Sequence, residues 1–374
     1  MQVSGKISYV TLARIPTGRA HGYAIMKMCE EFAALANRVE LVTPTRKHGL
    51  KDDPFEYHHI KRNFRLRKLW TTDFLGLFDN RSIPLFFIDI AIFLLSLSIR
   101  QWSSDTILYT RDYLVALVAR SHNIVLEIHT IPEKTFLFFR ALKRARRIIV
   151  ISNGLKEALV KAGVTEEKII VAPDAVDLSE FNITPMRELV WGSIGVNAEK
   201  KIILYTGHFY SWKGAETLAE AASLLPPECE VVLMGGVDQE LAEFKTKYGT
   251  QARIIGFEKR EKLAGYLKSA DVLVLPNSGK QRISSHYTSP LKLFQYMAAG
   301  VPIVAADLPS IREILSDSSA FWFRSDDEND LAVRVHYVLQ HPDEAAGKAA
   351  RAAEEVKKYT WGARAKSILS QINV

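Results

Sequence analysis

Residues 284–307, SSHYTSPLKLFQYMAAGVPIVAAD, decide how the chain is read. The stretch follows an apolar run, Asp271–Leu275 (DVLVL), closed by Pro276 and Asn277, which predicts a buried strand. A polar loop through Tyr287 and Thr288 comes next. Ser289 is a residue type that caps helices, and Pro290 suits a first turn. Leu291 to Ala299 continues as a helix, with Leu291, Phe294, Met297 and Ala298 at core-facing spacing. Gly300 stops it, Pro302 follows, and Val301–Ala306 predicts a second buried strand. A strand, a loop and a Ser-Pro helix start make an anion site, because first-turn amides lack intrahelical partners and the helix dipole is positive there. Spacing alone leaves an equal alternative, an ordinary capped strand–helix–strand unit that binds nothing.

The rest of the chain fits this α/β rhythm. Its 374 residues suit two domains, and 48% hydrophobic with 24% charged residues marks a globular protein rather than a disordered one. The formal net charge of +7 favours anionic partners. Without zinc spacing, RNA-binding aromatic signature or basic tail, it does not point to nucleic acid. Cys29 and Cys229 lie far apart in apolar patterns, which predicts buried free thiols in a reducing compartment. No apolar run reaches membrane-spanning length, and the opening residues hold no long signal segment.

Lys6–Leu12, a loop with Pro16, Gly18 and Gly22, a helix from about Ala24 to Leu35, and Val39–Val42 read as the opening of a doubly wound domain. The stretch Lys61–Arg100 breaks the pattern. A basic cluster (Lys61, Arg62, Arg65, Arg67, Lys68) precedes IPLFFIDIAIFLLSLSI, which Asp89 interrupts. It reads either as a buried helix beside a solvated basic face or as an element docking on anionic lipid. Strands follow at Ile107–Tyr109 and Ile124–Ile128, and the second leads into His129, at the strand end where open α/β sheets place ligands. On spacing alone His129 is a structural histidine. Phe136–Arg147 is an amphipathic helix with Arg140, Lys143, Arg144, Arg146 and Arg147, either a solvated face or a second membrane or acceptor-phosphate contact. After strands at 147–151 and 168–171, polar residues from about 178 to 200 predict a linker. Strands at Lys201–Thr206, Glu230–Met234 and Arg253–Gly256 then lead back to the opening block, and helices fill residues 328–371. The domains are thus expected at 1–180 and 198–358.

The block SPLKLFQYMAAGVPIVAADLPSIREIL closely resembles the nucleotide-sugar-binding segment of the retaining family 4 (group 1) glycosyltransferases. RIPTGRAHGYAIMKMCEEFA, LEIHTIPEK, APDAVDLSEF and YTGHFYSWKG resemble further segments of the same family, so the resemblance covers essentially the whole chain. It implies the GT-B fold, two Rossmann-like domains facing each other across a cleft. The helix at 360–374 would cross back onto the first domain, with Trp361 as its packing anchor. Lys213 matches the lysine of the family's G-R-x4-K-G segment and would meet the donor diphosphate. Gly207 and His208 precede it, the histidine standing where arginine is usual. Gly18, with His21 and Gly22, would face the cleft. The backbone at Gly256 and Phe257 would face the base, and Thr288, Ser289, Pro290 and Leu291 the phosphates or sugar. Lys292 would lie behind them. Tyr287 occupies the first position of the family's E-x7-E pattern. His129 would face the donor sugar and, with Lys213, carry the chemistry.

One departure is Gln295, where the family has a glutamate that accepts hydrogen bonds from the ribose. Glutamine keeps one acceptor and loses the charge. The resemblance implies a hexosyl-type transferase working without a metal or further cofactor. The acceptor hydroxyl would attack from the face the phosphate leaves, and the phosphate would take its proton. No Asp-x-Asp stands at a strand end: Asp326-Asp327 and Asp52-Asp53 lie elsewhere. The implied partners are a nucleotide sugar, a glycan or lipid-linked acceptor, and an anionic membrane surface met through Lys61–Lys68 and Arg140–Arg147. The implied place is the cytoplasm or its membrane face. Two alternatives stand beside this reading: a sugar-nucleotide-binding partner subunit of low transfer activity because of Gln295, and a two-domain sugar-nucleotide epimerase.

Overall fold

The computed structural model describes residues 3–45, 50–73 and 83–372. Residues 74–82 of the Lys61–Arg100 stretch and the final two of the expected 360–374 helix lie outside the described residues. The chain divides into two compact units. The first holds Met1–Ile151, Leu155–Ala172 and Trp361–Val374, and the second holds Ser152–Gly154 and Pro173–Thr360.

The first unit is built on a parallel sheet of seven strands: β1 (Val3–Val10), β2 (Ala36–Pro44), β3 (Arg65–Leu69), β4 (Thr106–Thr110), β5 (Ile124–Ile128), β6 (Arg147–Val150) and β7 (Ile169–Val171). Their order is β3-β2-β1-β4-β5-β6-β7. Parallel strands are covered on both faces, so β4 and β5 are buried throughout, as their unbroken apolar runs require. The chain winds outward from β1 to β3 and then restarts on the other side with β4. The connections leaving β1 and β4 therefore run in opposite directions, and a crevice opens outside the carboxyl ends of these paired strands. The Trp361–Ile372 helix belongs to this unit. Trp361 is 2% exposed and meets Tyr23 edge to face, with ring centroids 6.1 Å apart.

Two elements here give shape to the Lys61–Arg100 stretch. The basic cluster is solvated, with Lys61, Arg62, Arg65 and Lys68 exposed and Arg67 half-buried. Arg65, Arg67 and Lys68 sit on β3, an edge strand paired with β2, where charge discourages pairing with another chain. The apolar stretch forms the helix Ile83–Ser98. Ile90, Phe93 and Leu97 are buried, each worth about 1.5–3 kcal/mol. Asp89 is buried with them, and its carboxylate accepts the Thr72 hydroxyl at 2.9 Å. Phe86, Phe87, Ile88, Leu95 and Ile99 remain exposed, so the helix is apolar on both faces.

The second unit is built on β8 (Lys201–Thr206), β9 (Cys229–Met234), β10 (Arg253–Ile255), β11 (Val272–Leu275), β12 (Ile303–Ala306) and β13 (Phe321–Phe323), all parallel, in the order β10-β9-β8-β11-β12-β13. Its switch point lies between β8 and β11. The expected linker is packed structure of this unit. Trp191 on the helix Arg187–Gly192 is fully buried and its indole donates to the Ser269 carbonyl at 2.9 Å. Arg187 donates to the carbonyls of Ala198 and Lys200 and to Asp271 at 2.7–2.9 Å. Cys29 is buried and Cys229 half-buried, one in each unit, both as free thiols.

Candidate active site

In the second unit, the carboxyl ends of β8, β9 and β10 are laced side by side: Gly207 N–H donates to the Met234 carbonyl at 2.8 Å and Gly235 N–H to the Ile255 carbonyl at 2.9 Å. Gly207 has φ +132°, and a Cβ there would lie 3.1 Å from Lys292 Nζ. A short turn, Ser211–Lys213, ends in Gly214 at φ +69°. A Cβ at Gly214 would fall 1.8 Å from the Pro276 carbonyl oxygen, so glycine lets this turn press against the end of β11. Lys213 is thereby fixed at the switch point, half-buried, with Nζ 3.9 Å from the centroid of the Trp212 ring. Burial lowers its ammonium to about 8, although Asp174 pulls the other way.

Across the switch point, the residues expected to form a polar loop make a helical turn, Ile283–Tyr287, and the helix proper runs Leu291–Ala299. Ser289 does not cap it. Its hydroxyl accepts the Asp174 amide at 3.0 Å, and no side chain caps the helix; the Leu293 amide donates to the Pro290 carbonyl at 2.9 Å, which leaves the amides of Leu291 and Lys292 for another acceptor. The helix is buried nearly all round, with Leu291 and Ala298 only half-buried, because the helices Arg260–Lys268 and Pro342–Glu355 pack against it. Thr288, Ser289, Pro290 and Gln295 are buried, and Tyr287 is half-buried. Tyr296 accepts the Thr206 amide at 2.8 Å, tying the helix to the end of β8. His208 stacks on Tyr210 at 4.9 Å and its Nδ1 lies 3.0 Å from the Glu240 carboxylate. Phe257, two residues past β10, is 57% exposed at the same end of the sheet.

The first unit has its own polar cluster at the β1/β4 switch point. Asp112, after β4, accepts the Leu12 amide at 2.9 Å and the Thr11 hydroxyl at 3.0 Å, which pins the β1 loop. Burial raises the Asp112 carboxyl, and those two bonds oppose it. Glu127 and His129 alternate along β5 and so share a side. His129 Nε2 lies 2.6 Å from Glu127, and Arg111 lies 2.8 Å from Nδ1. Because a guanidinium only donates, Nδ1 accepts and Nε2 carries the proton. Arg364, from the Trp361–Ile372 helix, pairs with Glu127 at 3.1 Å, and the Tyr109 hydroxyl donates to the same carboxylate. Burial raises the Glu127 carboxyl, but Arg364, the His129 bond and Arg111 together hold it well below the usual range. His21 is half-buried on the first turn of the Ala20–Leu35 helix; burial and the charges of Arg111 and Arg19 lower it to about 4. Gly18 is exposed, and a Cβ there would lie 3.3 Å from the Tyr57 hydroxyl.

Gly18, His21 and His129 thus belong to the first unit, and Gly207, His208, Lys213, Phe257, Tyr287–Leu291 and Gln295 to the second. Sequence reading passed over Tyr205, Tyr296, Asp174, Arg111 and Arg364. Only Arg111 carried a signal, as the residue following a predicted strand. Among the described residues no group of three or more His, Cys, Asp or Glu is arranged to hold a metal.

Residues 22–180 match the family model described as Glycosyltransferase Family 4, and residues 200–341 match that of Glycosyl transferases group 1. The chain is similar to a phosphatidyl-myo-inositol mannosyltransferase of Mycolicibacterium smegmatis, 27% identical over 66% of this chain and 64% of the relative. It is also similar to a D-inositol 3-phosphate glycosyltransferase of Kineococcus radiotolerans, 23% identical over 62% and 57% of the two chains. The match therefore spans less than two thirds of the length of each relative. Among solved structures, HepE of Anabaena in complex with UDP-glucose superposes with a TM-score of 0.73 at 18% identity, covering 98% of both chains. Sucrose-phosphate synthase of Thermosynechococcus elongatus gives 0.71 at 19%, covering 97% of both. These likenesses establish the GT-B fold.

Proposed function

The chain belongs to the group 1 glycosyltransferases of family 4, and on that footing we propose that it is a nucleotide-sugar-dependent glycosyltransferase of the hexosyl type. The observation that carries the reading is Lys213 held at the β8/β11 switch point, in the same unit as a helix start that no side chain caps. Cleaving a sugar–phosphate bond leaves charge on the diphosphate, and fixed donors aimed at that charge lower the barrier most. An ammonium and first-turn amides supply such donors without a metal. The transfer is retaining: the acceptor hydroxyl approaches from the face the phosphate leaves, and a diphosphate oxygen takes its proton. His129 is not the base, since Arg111 occupies its Nδ1 and Glu127 its Nε2; it contributes a ring held in one tautomer.

The acceptor is a glycan or a lipid-linked sugar. The exposed Phe86, Phe87, Ile88, Leu95 and Ile99, with Arg65 and Lys68 exposed in the same unit, suit an anionic membrane surface. Arg140 is exposed beside Phe136, itself 73% exposed, and gives a second such contact, whereas Arg144 is spent on the carbonyls of Leu117 and Ala119. No helix among the described residues is long and apolar enough to cross a membrane.

The test is to incubate the protein with UDP-, GDP- and ADP-sugars and lipid-linked acceptors, with and without EDTA. Transfer with retained anomeric configuration is expected, unaffected by chelation. Neither transfer nor donor hydrolysis across the panel would sink the reading. Co-sedimentation with anionic but not zwitterionic vesicles, lost in Phe87→Ser/Leu95→Ser, tests the membrane contact. The buried Gln295 favours a second reading, a donor-binding subunit of low activity; binding without turnover, unchanged in Gln295→Glu, would select it.

A further inference from the structure

Lys292 stands in the first turn of the Leu291–Ala299 helix, 7% exposed, and its Nζ is buried with no hydrogen-bond partner. Nζ lies 3.7 Å from the centroid of the Tyr205 ring. The space beside it is kept open by Gly207, where any side chain would begin 3.1 Å from Nζ. The Tyr205 hydroxyl donates to the His208 carbonyl at 2.6 Å and makes no bond to Nζ. Tyr296, on the same helix, is committed to Thr206, and Glu240 to His208 and the Phe209 amide. Around the amine, then, stand the Tyr205 ring, Gly207 and the charge of Lys213, and among the described residues no carboxylate is paired to it. Burying an amine without a partner costs several kcal/mol in general, and a fold keeps such a group only where packing tolerates it or a ligand completes it. Glycine at 207, an uncapped helix start and a second lysine make the latter the better account.

We propose that Lys292 is a second cation for the donor's diphosphate, held in waiting against Tyr205 and completed when the anion arrives. This rests on the reading of the second unit as a nucleotide-sugar site. Burial, then the charge of Lys213, holds the Lys292 ammonium well below the usual lysine range. An arriving diphosphate favours its protonated form, and any proton taken up passes from solvent to Nζ with no other bond changed.

The experiment is calorimetric titration of the full chain with UDP, GDP and ADP at pH 7, in two buffers of different ionisation enthalpy, for the wild type and Lys292→Met. Methionine matches the lysine stem in volume, so the helix keeps its packing. The variant should bind its preferred diphosphate about tenfold to hundredfold more weakly and take up fewer protons on binding. Binding of the parent nucleoside should be unchanged, and the unliganded variant should melt no lower than the wild type. Wild-type affinity and proton uptake in Lys292→Met would overturn the inference and leave the nucleotide-sugar reading standing. Equal weakening of nucleoside and diphosphate would also overturn it, as the mark of a packing role. Failure of the wild type to bind any of the three diphosphates would overturn both.

Discussion

The two switch points differ in how their polar groups are spent. In the first unit every group of the cluster is engaged: Glu127 with Arg364 and His129, His129 with Arg111, Asp112 with Thr11 and Leu12. In the second, Lys292 Nζ has no hydrogen-bond partner and the helix beside it no cap. A satisfied buried network fixes geometry, because every alternative arrangement loses a bond. An unsatisfied one stores an affinity that only a ligand can release. One unit is thus built as a rigid wall and the other as a receptor for charge.

The largest test removes the half-buried cation at the β8/β11 switch point. Lys213→Met should lower kcat about 10²–10³-fold with little change in thermal stability, read by steady-state assay and melting curve. Next, breaking the wall through Arg364→Met should destabilise the first unit by about 3 kcal/mol, at the low end for a buried pair because Arg111 and Tyr109 still meet Glu127. Urea unfolding would show it. The Glu127 carboxyl sits lower when folded than unfolded, so its contribution is complete above the unfolded value of 4.5 and is lost as pH falls. The gap between Arg364→Met and the wild type should therefore narrow below that pH; a constant gap would mean the arginine acts by packing. Gln295→Glu should raise kcat/KM about tenfold by restoring a charged ribose acceptor, and an unchanged rate would place the ribose elsewhere. The smallest effect is graded. On the proposed function it is the ammonium form of Lys213 that would bind phosphate, and that form is lost above about pH 8. Donor KM should then rise with pH by up to tenfold per unit, and Lys213→Met should flatten the rise.

Much of the receptor was legible because its parts are consecutive. Strand, turn and helix of the 271–306 block follow one another, and each carries its own local signal. The wall was legible only in pieces. Glu127 and His129 share a strand, but Arg364 comes from a helix 237 residues further on, and nothing in WGARAKSILSQI marks that arginine as buried. Strand β3 was missed because RLRKL reads as a solvated basic run, which an edge strand can carry. Ser289 was read as a cap from its type, yet tertiary structure gave its hydroxyl to Asp174. Lys292 was read as lying behind the phosphate residues, and only the packing shows how little its amine touches. The apolar 83–99 stretch divides between its two readings, since one face of its helix is buried and the other is bare.

The Glu127–Arg364 pair also bears on the order in which the molecule is made. A ribosome adding roughly 5–20 residues each second delivers Arg364 about ten to fifty seconds after Glu127. Throughout that interval the carboxylate lacks its deepest partner, and Tyr23 lacks the Trp361 ring. The unit that emerges first therefore gains its last core helix only after the whole of the second unit has been synthesised.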